Sequence, residues 1–402
     1  MYFLKIEIVR RRLLGATALV FYCCCEFLTS VFASPALDVA DGNLTLQVKV
    51  HSTVDFQPSG DHAKLNGFAT DGRSVFLVDS HGARIFKMID GADARTELWL
   101  DVSQYLPLNY LHFQPVEGGI RSLAFHPDFE SNGKFYTSQL VGEDKMLSTP
   151  YFVGQSDLKT DFDSVLIEWT IDDPFAPEPS VENVREVLRI AGAIAHPIKQ
   201  IAFNPYAKKD ERDYGLLYIA HADGALTPES QGGQRFNAFG KILRINPLAV
   251  DDRPFQIPSD NPYLDNEHLL ETYAIGLRNP HHLSFTQNGN LLVADIGARN
   301  VEEINLISSG ANYGWLDREG TYRYLEYQRE TGIARWNQTI IYRVLHIRLP
   351  SSGMIRIMSW GLLSLVDTQL KIARLYRVIT CLPNLLHLVK FIISVWTILK
   401  AQ

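Results

Sequence analysis

One unit recurs along the middle of the chain: an apolar or alternating run, a polar turn of Asp, Asn, Pro or Gly, then a second alternating run. Its copies occupy Leu65–Val78, Ile120–Tyr136, Ile198–Ile219 and His282–Val293. Alternation with a period of two, closed by such turns, predicts paired antiparallel strands. Each copy carries a phenylalanine anchor, at Phe68, Phe125, Phe203 and Phe285, in steps of 57, 78 and 82 residues. A solenoid of fixed repeat length does not drift so far, whereas propeller blades keep a four-stranded sheet and vary the loops on its faces. Few segments hold apolar residues at helical spacing. The pattern predicts an all-β chain built as a β-propeller, with a β-sandwich as the alternative that strand content alone allows.

Composition adds the scale. The chain has 402 residues, 46% hydrophobic and 21% charged, which supports a sizeable core and excludes a mostly disordered, collagen-like or coiled-coil protein. The net charge of −7 is unevenly placed: residues 1–33 carry +2, 34–330 carry −17 and 331–402 carry +8. The acidic middle argues against nucleic acid as a partner, because phosphate binding depends on a basic face.

Residues 1–33 run from Lys5 and Arg10–Arg12 through an apolar stretch, Leu13 to Leu28, to small residues before Ser34. That is the layout of a cleavable signal peptide, and it predicts export. An uncleaved anchor is the alternative, on a run shorter than the ~20 residues a span needs. Cys23, Cys24 and Cys25 lie inside this segment and Cys381 near the other end. Residues 34–330 therefore have no thiol for a disulfide, a zinc site or a nucleophile. Asn43-Leu-Thr45 and Asn337-Gln-Thr339 match the short glycosylation pattern.

Four stretches, in order, carry a resemblance: Glu117-Gly-Gly-Ile-Arg-Ser-Leu-Ala-Phe-His-Pro-Asp-Phe129, Gly240-Lys-Ile-Leu-Arg-Ile-Asn-Pro247, Gly276-Leu-Arg-Asn-Pro280, and Glu302-Glu-Ile-Asn-Leu-Ile307 followed by Gly310-Ala-Asn-Tyr-Gly-Trp315. Across about residues 60–320 the chain resembles the soluble quinoprotein glucose/sorbosone dehydrogenases. The resemblance implies a six-bladed β-propeller, secreted or periplasmic, that uses pyrroloquinoline quinone (PQQ) and calcium. It also implies a sugar substrate and an external electron acceptor.

Oxidising a sugar hydroxyl needs a base for its proton, an acceptor for the hydride and positive groups to balance the charge that develops. By resemblance, His196 stands at the position of the catalytic base and Asp223 at that of the carboxylate that orients it. Arg278 and Asn279 match the pair that contacts the quinone, and Arg278 also serves the developing anion. His281 and Glu117 stand near the cofactor where the family's glucose enzymes carry glutamine, so those contacts differ. The turn Asp295-Ile-Gly-Ala-Arg-Asn-Val-Glu-Glu303 matches the calcium loop. There the carbonyls around Gly297 and Ala298 and the carboxylate of Glu302, an aspartate in the glucose enzymes, would hold a hard cation.

The resemblance thins after Trp315. Leu365–Val378 echoes Leu77–Met88 of the same chain, which predicts a fifth-blade strand pair and puts Lys371 where the family has a cofactor-binding lysine. The swing to +8 and the apolar run Leu382–Leu399, interrupted by Lys390, point to an aberrant end rather than a stable membrane span. The expected domains are a signal peptide (1–33), a propeller (34–330) and a degenerate C-terminal segment (331–402). An incomplete propeller would expose sheet edges and favour aggregation. Two functions follow: an exported PQQ-dependent sugar dehydrogenase, or a non-catalytic secreted propeller that binds protein or glycan, with an inactive truncated product as a variant of the second.

Overall fold

The computed structural model describes residues 65–107, 118–142, 151–190, 195–225, 235–298 and 301–320, apart from breaks at 81, 91–93, 155–161 and 265–267, together with four short strands after residue 321. The expected signal peptide, Glu117, Lys371, the cysteines and both glycosylation sequences lie outside the described residues.

Four antiparallel sheets follow one another along the chain. The first is β1 (Leu65–Thr70), β2 (Val75–Asp79), β3 (Arg84–Ile89) and β4 (Arg95–Asp101). The second is β5 (Ile120–Phe125), β6 (Lys134–Gly142), β7 (Phe162–Ile171) and β8 (Val181–Ile190). The third is β9 (Ile198–Phe203), β10 (Leu217–His221), β11 (Lys241–Ile245) and β12 (Thr272–Ile275). The fourth is β13 (Pro280–Phe285), β14 (Leu291–Asp295) and β15 (Glu303–Ile307). Each strand pairs with its sequence neighbour, and β1, β5, β9 and β13 pack successively against one another. Among the described residues this is an all-β propeller fold with four blades, whose inner strands succeed one another about a common axis. Each recurring sequence unit is the first hairpin of one blade. The expected four strands per blade hold for three of them; the fourth has three among the described residues.

Farther along, β16 (Arg318–Glu319), β17 (Tyr322–Tyr324) and β18 (Ile333–Arg335) form a small sheet, and β19 (Met354–Met358) pairs with β20 (Leu362–Val366). The strand expected at Leu365 thus ends at Val366 and takes its partner from upstream; the remainder of that expected pair lies outside the described residues.

The turns explain the hairpins. In the first, Asp71 Oδ1 accepts from the N–H groups of Arg73 and Ser74 at 2.8 and 2.7 Å, an aspartate turn that lets Thr70 face Val75. In the second, the ring of His126 and the helix α1 (Phe129–Asn132) fill the connection between β5 and β6.

The core lies between blades rather than at the axis. Phe76, Trp99, Phe125, Phe135 and Trp169 interlock between the first and second blades. Leu166, Leu188, Ile201, Ile219 and Leu243 fill the next wedge, and Tyr218, Ile242, Leu283, Phe285 and Val293 the third. Fully burying one such side chain contributes about 1.5–3 kcal/mol. Polar side chains then tie the inner strands together. Asn66 Nδ2 on β1 donates to the carbonyls of Ile120 and Arg121 on β5. Ser122 Oγ on β5 accepts from Ile201 N on β9, and Gln200 Oε1 on β9 accepts from Leu283 N on β13. These bonds tie β1, β5, β9 and β13 together in succession.

Burial also sets an acid limit. His126 Nδ1 accepts from Asp128 N at 3.0 Å and lies 3.0 Å from Asn132 Nδ2; burial pushes its pKa down to about 4. His221 is likewise pushed down to about 4, first by burial. Unfolded histidines take up protons near pH 6.5 while these folded ones do not, so their contribution is present above that pH and is lost as pH falls toward 4. The melting temperature is expected to fall over that window, and to fall less steeply in His126→Asn, as measured by calorimetry at a series of pH values.

Candidate active site

His196 lies two residues before β9 at φ +53°. A residue before proline is ordinarily extended, so this left-handed conformation at His196-Pro197 costs on the order of 1–3 kcal/mol and needs support from its surroundings. The support is Asp223, just past the end of β10: His196 Nδ1 lies 2.7 Å from Asp223 Oδ1. Asp223 is 2% exposed. Its Oδ1 also accepts from Ala225 N at 2.9 Å and its Oδ2 from Trp315 Nε1 at 3.1 Å. Burial opposes ionisation of this carboxyl, but the hydrogen bond and charge of His196 outweigh it, so its pKa stays below the usual range.

The backbone joins this pair to the next blade, since Asp223 N donates to Arg278 O at 2.7 Å. Arg278 and Asn279 are placed by a buried carboxylate, Asp295 at the end of β14, which accepts from both of their N–H groups at 3.0 and 2.6 Å. Burial, and secondarily the charge of Glu303, pushes Asp295 up to about 8. Arg278 lies over the ring of Trp315 at 5.6 Å. Its Nη1 donates to the carbonyls of Ile296 and Gly297 at 2.9 and 2.8 Å. Asn279 Oδ1 is buried with no hydrogen-bond partner among the described residues. An orphaned acceptor beside an arginine suits a ligand with both donor and anionic groups, which is the chemistry of a quinone cofactor bearing N–H and carboxylates.

The expected calcium loop closes on itself. Glu302 Oε2 accepts from Gly297 N at 3.0 Å, and burial pushes Glu302 up to about 7. A side chain at Gly297 would meet Val301 O at 1.8 Å, so this tight turn requires glycine. Its donors are all oxygen and suit a hard cation. The Gly297 carbonyl is at present taken by Arg278, and no group of three metal-binding side chains occurs among the described residues. His281, with His282, lines the axial cavity rather than the small pocket around Arg278, within reach of the charge of His196.

The profile of the Glucose / Sorbosone dehydrogenase family matches residues 76–355, more than half of the chain. The chain belongs to that family. The HIPL1 protein of Arabidopsis thaliana is 30% identical over 252 residues, covering 52% of this chain and 34% of that one. Quinoprotein glucose dehydrogenase B of Acinetobacter calcoaceticus is 29% identical over 234 residues, covering 55% and 43%. The chain therefore spans less than half the length of these relatives. A PQQ-bound aldose sugar dehydrogenase of Streptomyces coelicolor superposes with a TM-score of 0.47 at 21% identity, covering 64% of this chain and 65% of that one.

Among the expected site residues, the fold brings His196, Asp223, Arg278 and Asn279 into one hydrogen-bonded assembly, with Gly297, Ala298 and Glu302 in the loop that Arg278 touches. Two members of the assembly carry no mark of their own in the sequence. Trp315 stands there only as the end of a motif, and Asp295 only as the start of a loop. An acid ending a strand just before a Gly-containing turn is the available signal for Asp295. Lys241 is a further residue that sequence reasoning misses; burial pushes it down to about 7, and its Nζ donates to Asn237 Oδ1 and Phe239 O.

Proposed function

We propose that this chain is a secreted or periplasmic oxidoreductase that oxidises a hydroxyl of an aldose or related sugar, on a propeller of six blades, with PQQ and calcium. An external acceptor would take up the electrons. The observation that carries this reading is His196 Nδ1 at 2.7 Å from a buried, ionised Asp223, joined through one backbone hydrogen bond to Arg278.

With Nδ1 committed to Asp223, the other ring nitrogen is the one that takes the hydroxyl proton. Asp223 then stabilises the imidazolium, and Trp315 and the Ala225 N–H keep the carboxylate in place. PQQ, when bound, supplies the acceptor for the hydride that leaves the same carbon. Arg278 has donors beyond those on Ile296 and Gly297, and these balance negative charge on the oxidant side. Asn279 would hold the quinone. Calcium would take the carbonyls of Gly297 and Ala298 and the carboxylate of Glu302, in competition with Arg278 for the first. Glu117 and Lys371 would extend the cofactor contacts, and His281 would meet them from the axial side.

The test is calorimetric titration of the full chain with PQQ, with and without calcium, followed by dye-linked oxidation of a panel of aldoses. Calcium-dependent saturable binding with turnover is expected. A folded chain that binds no quinone would overturn the reading and favour the non-catalytic propeller.

A further inference from the structure

The motif Gly240-Lys-Ile-Leu-Arg-Ile-Asn-Pro247 takes no direct part in the reaction described above, yet its Lys241 is fully buried on β11, opposite His221 of β10. A lysine in a core is costly unless its amine has a task there, since methionine packs as well with no polar group to satisfy. Lys241 lines neither the axial cavity nor the pocket around Arg278. Its Nζ is directed instead at the turn just before its own strand, donating to Asn237 Oδ1 at 3.0 Å and to Phe239 O at 3.1 Å. Asn237 Oδ1 also accepts from Phe239 N at 3.2 Å. Gly240, in the same turn, has φ +64°, a conformation that favours glycine.

What that turn holds is the candidate site. Phe239 O and Gly240 N belong to one peptide group, and Gly240 N donates to Ala222 O at 3.0 Å. Ala222 O and Asp223 N belong to another, and Asp223 N donates to Arg278 O at 2.7 Å. Two peptide groups in series therefore run from Lys241 Nζ to Arg278, passing through the residue that orients His196. On the other side of the turn, Gly240 O accepts at 3.1 Å from the N–H of Leu277, the residue before Arg278. Hydrogen bonds linked in this way polarise one another. We infer that Lys241 is a positioning residue: by fixing the Phe239–Gly240 peptide it sets how Asp223, with the His196 it orients, is placed against Arg278. Its two donations need only two N–H bonds, so they persist when the amine is neutral. The inference rests on the oxidoreductase reading for the chemistry, while the hydrogen-bond path is geometry of the fold.

The experiment is Lys241→Met in the full chain, which keeps an unbranched apolar side chain and removes the donors. In quinone-dependent sugar oxidation, kcat is expected to fall about tenfold with KM little changed, the effect of one lost buried hydrogen bond felt at the transition state. Amide hydrogen exchange supplies a second readout that needs no turnover. The amides of Gly240 and Asp223 should exchange about tenfold faster than in the wild type, while those of Ile219 and Leu243, within β10 and β11, keep their protection. A lysine that serves only the core would loosen the whole blade. Equal loss at Ile219 and Leu243, wild-type exchange at Gly240 and Asp223, or wild-type kcat in an active enzyme each overturns the inference. If the wild-type chain oxidises no sugar, the oxidoreductase reading fails by itself, and the exchange comparison decides whether Lys241 sets the link between Asp223 and Arg278. If Lys241→Met does not fold, Lys241→Gln, too short to reach both acceptors, takes its place, with the same local loss expected and a uniform loss as the contrary result.

Discussion

Replacing His196 with alanine is expected to lower quinone-dependent sugar oxidation by about 10²–10⁴-fold, the usual contribution of a positioned general base. The loss should fall on kcat rather than on quinone affinity, because the ring is held by Asp223 and not by the groups around Asn279. Trp315→Phe gives a graded companion. It removes the donor to Asp223 Oδ2 while keeping an aromatic face under Arg278, so a smaller fall in kcat and a shift in the acid limb of its pH profile are expected. Steady-state kinetics over a pH series measures both. Unchanged turnover in His196→Ala, with wild-type quinone binding, would remove His196 from the chemistry and leave the fold assignment untouched.

The parts of this molecule that are legible in the sequence are those governed by local physics. The inner hairpins alternate strongly and end in aspartate, asparagine and glycine turns, so the pattern alone places Phe68, Phe125, Phe203 and Phe285 in four strands, where the fold has them. The pairing of His196 with Asp223 spans 27 residues of sequence and follows from the resemblance, not from spacing. Trp315 reaches Asp223 across 92 residues, and nothing local marks an indole N–H as a distant donor. Asp295 escapes notice for a related reason: its role is to accept two backbone N–H groups, which any strand-end acid could do.

Substituting Arg189 with methionine should have the largest effect on stability. Arg189 on β8 is fully buried, donating from Nη1 to Asp163 at 2.7 Å and from Nε and Nη2 to Glu186 at 2.8 and 2.9 Å. The hydrogen bonds to both acids raise its pKa against the opposing effect of burial, so it stays charged at any working pH. The substitution leaves two carboxylates buried without their cation, a change that typically costs about 3–5 kcal/mol. Domains are stable by only about 5–15 kcal/mol, so a large fall in the urea midpoint is expected. Neutralising the acids as well tests the cause. In Arg189→Met combined with Asp163→Asn and Glu186→Gln, no unpaired charge remains, and most of the lost stability should return. If the triple variant melts no higher than Arg189→Met alone, the arginine's packing, not its charge, is what stabilises the second blade. That outcome would also predict that Arg189→Lys, which keeps the charge but loses the planar fork, is nearly as damaging as methionine.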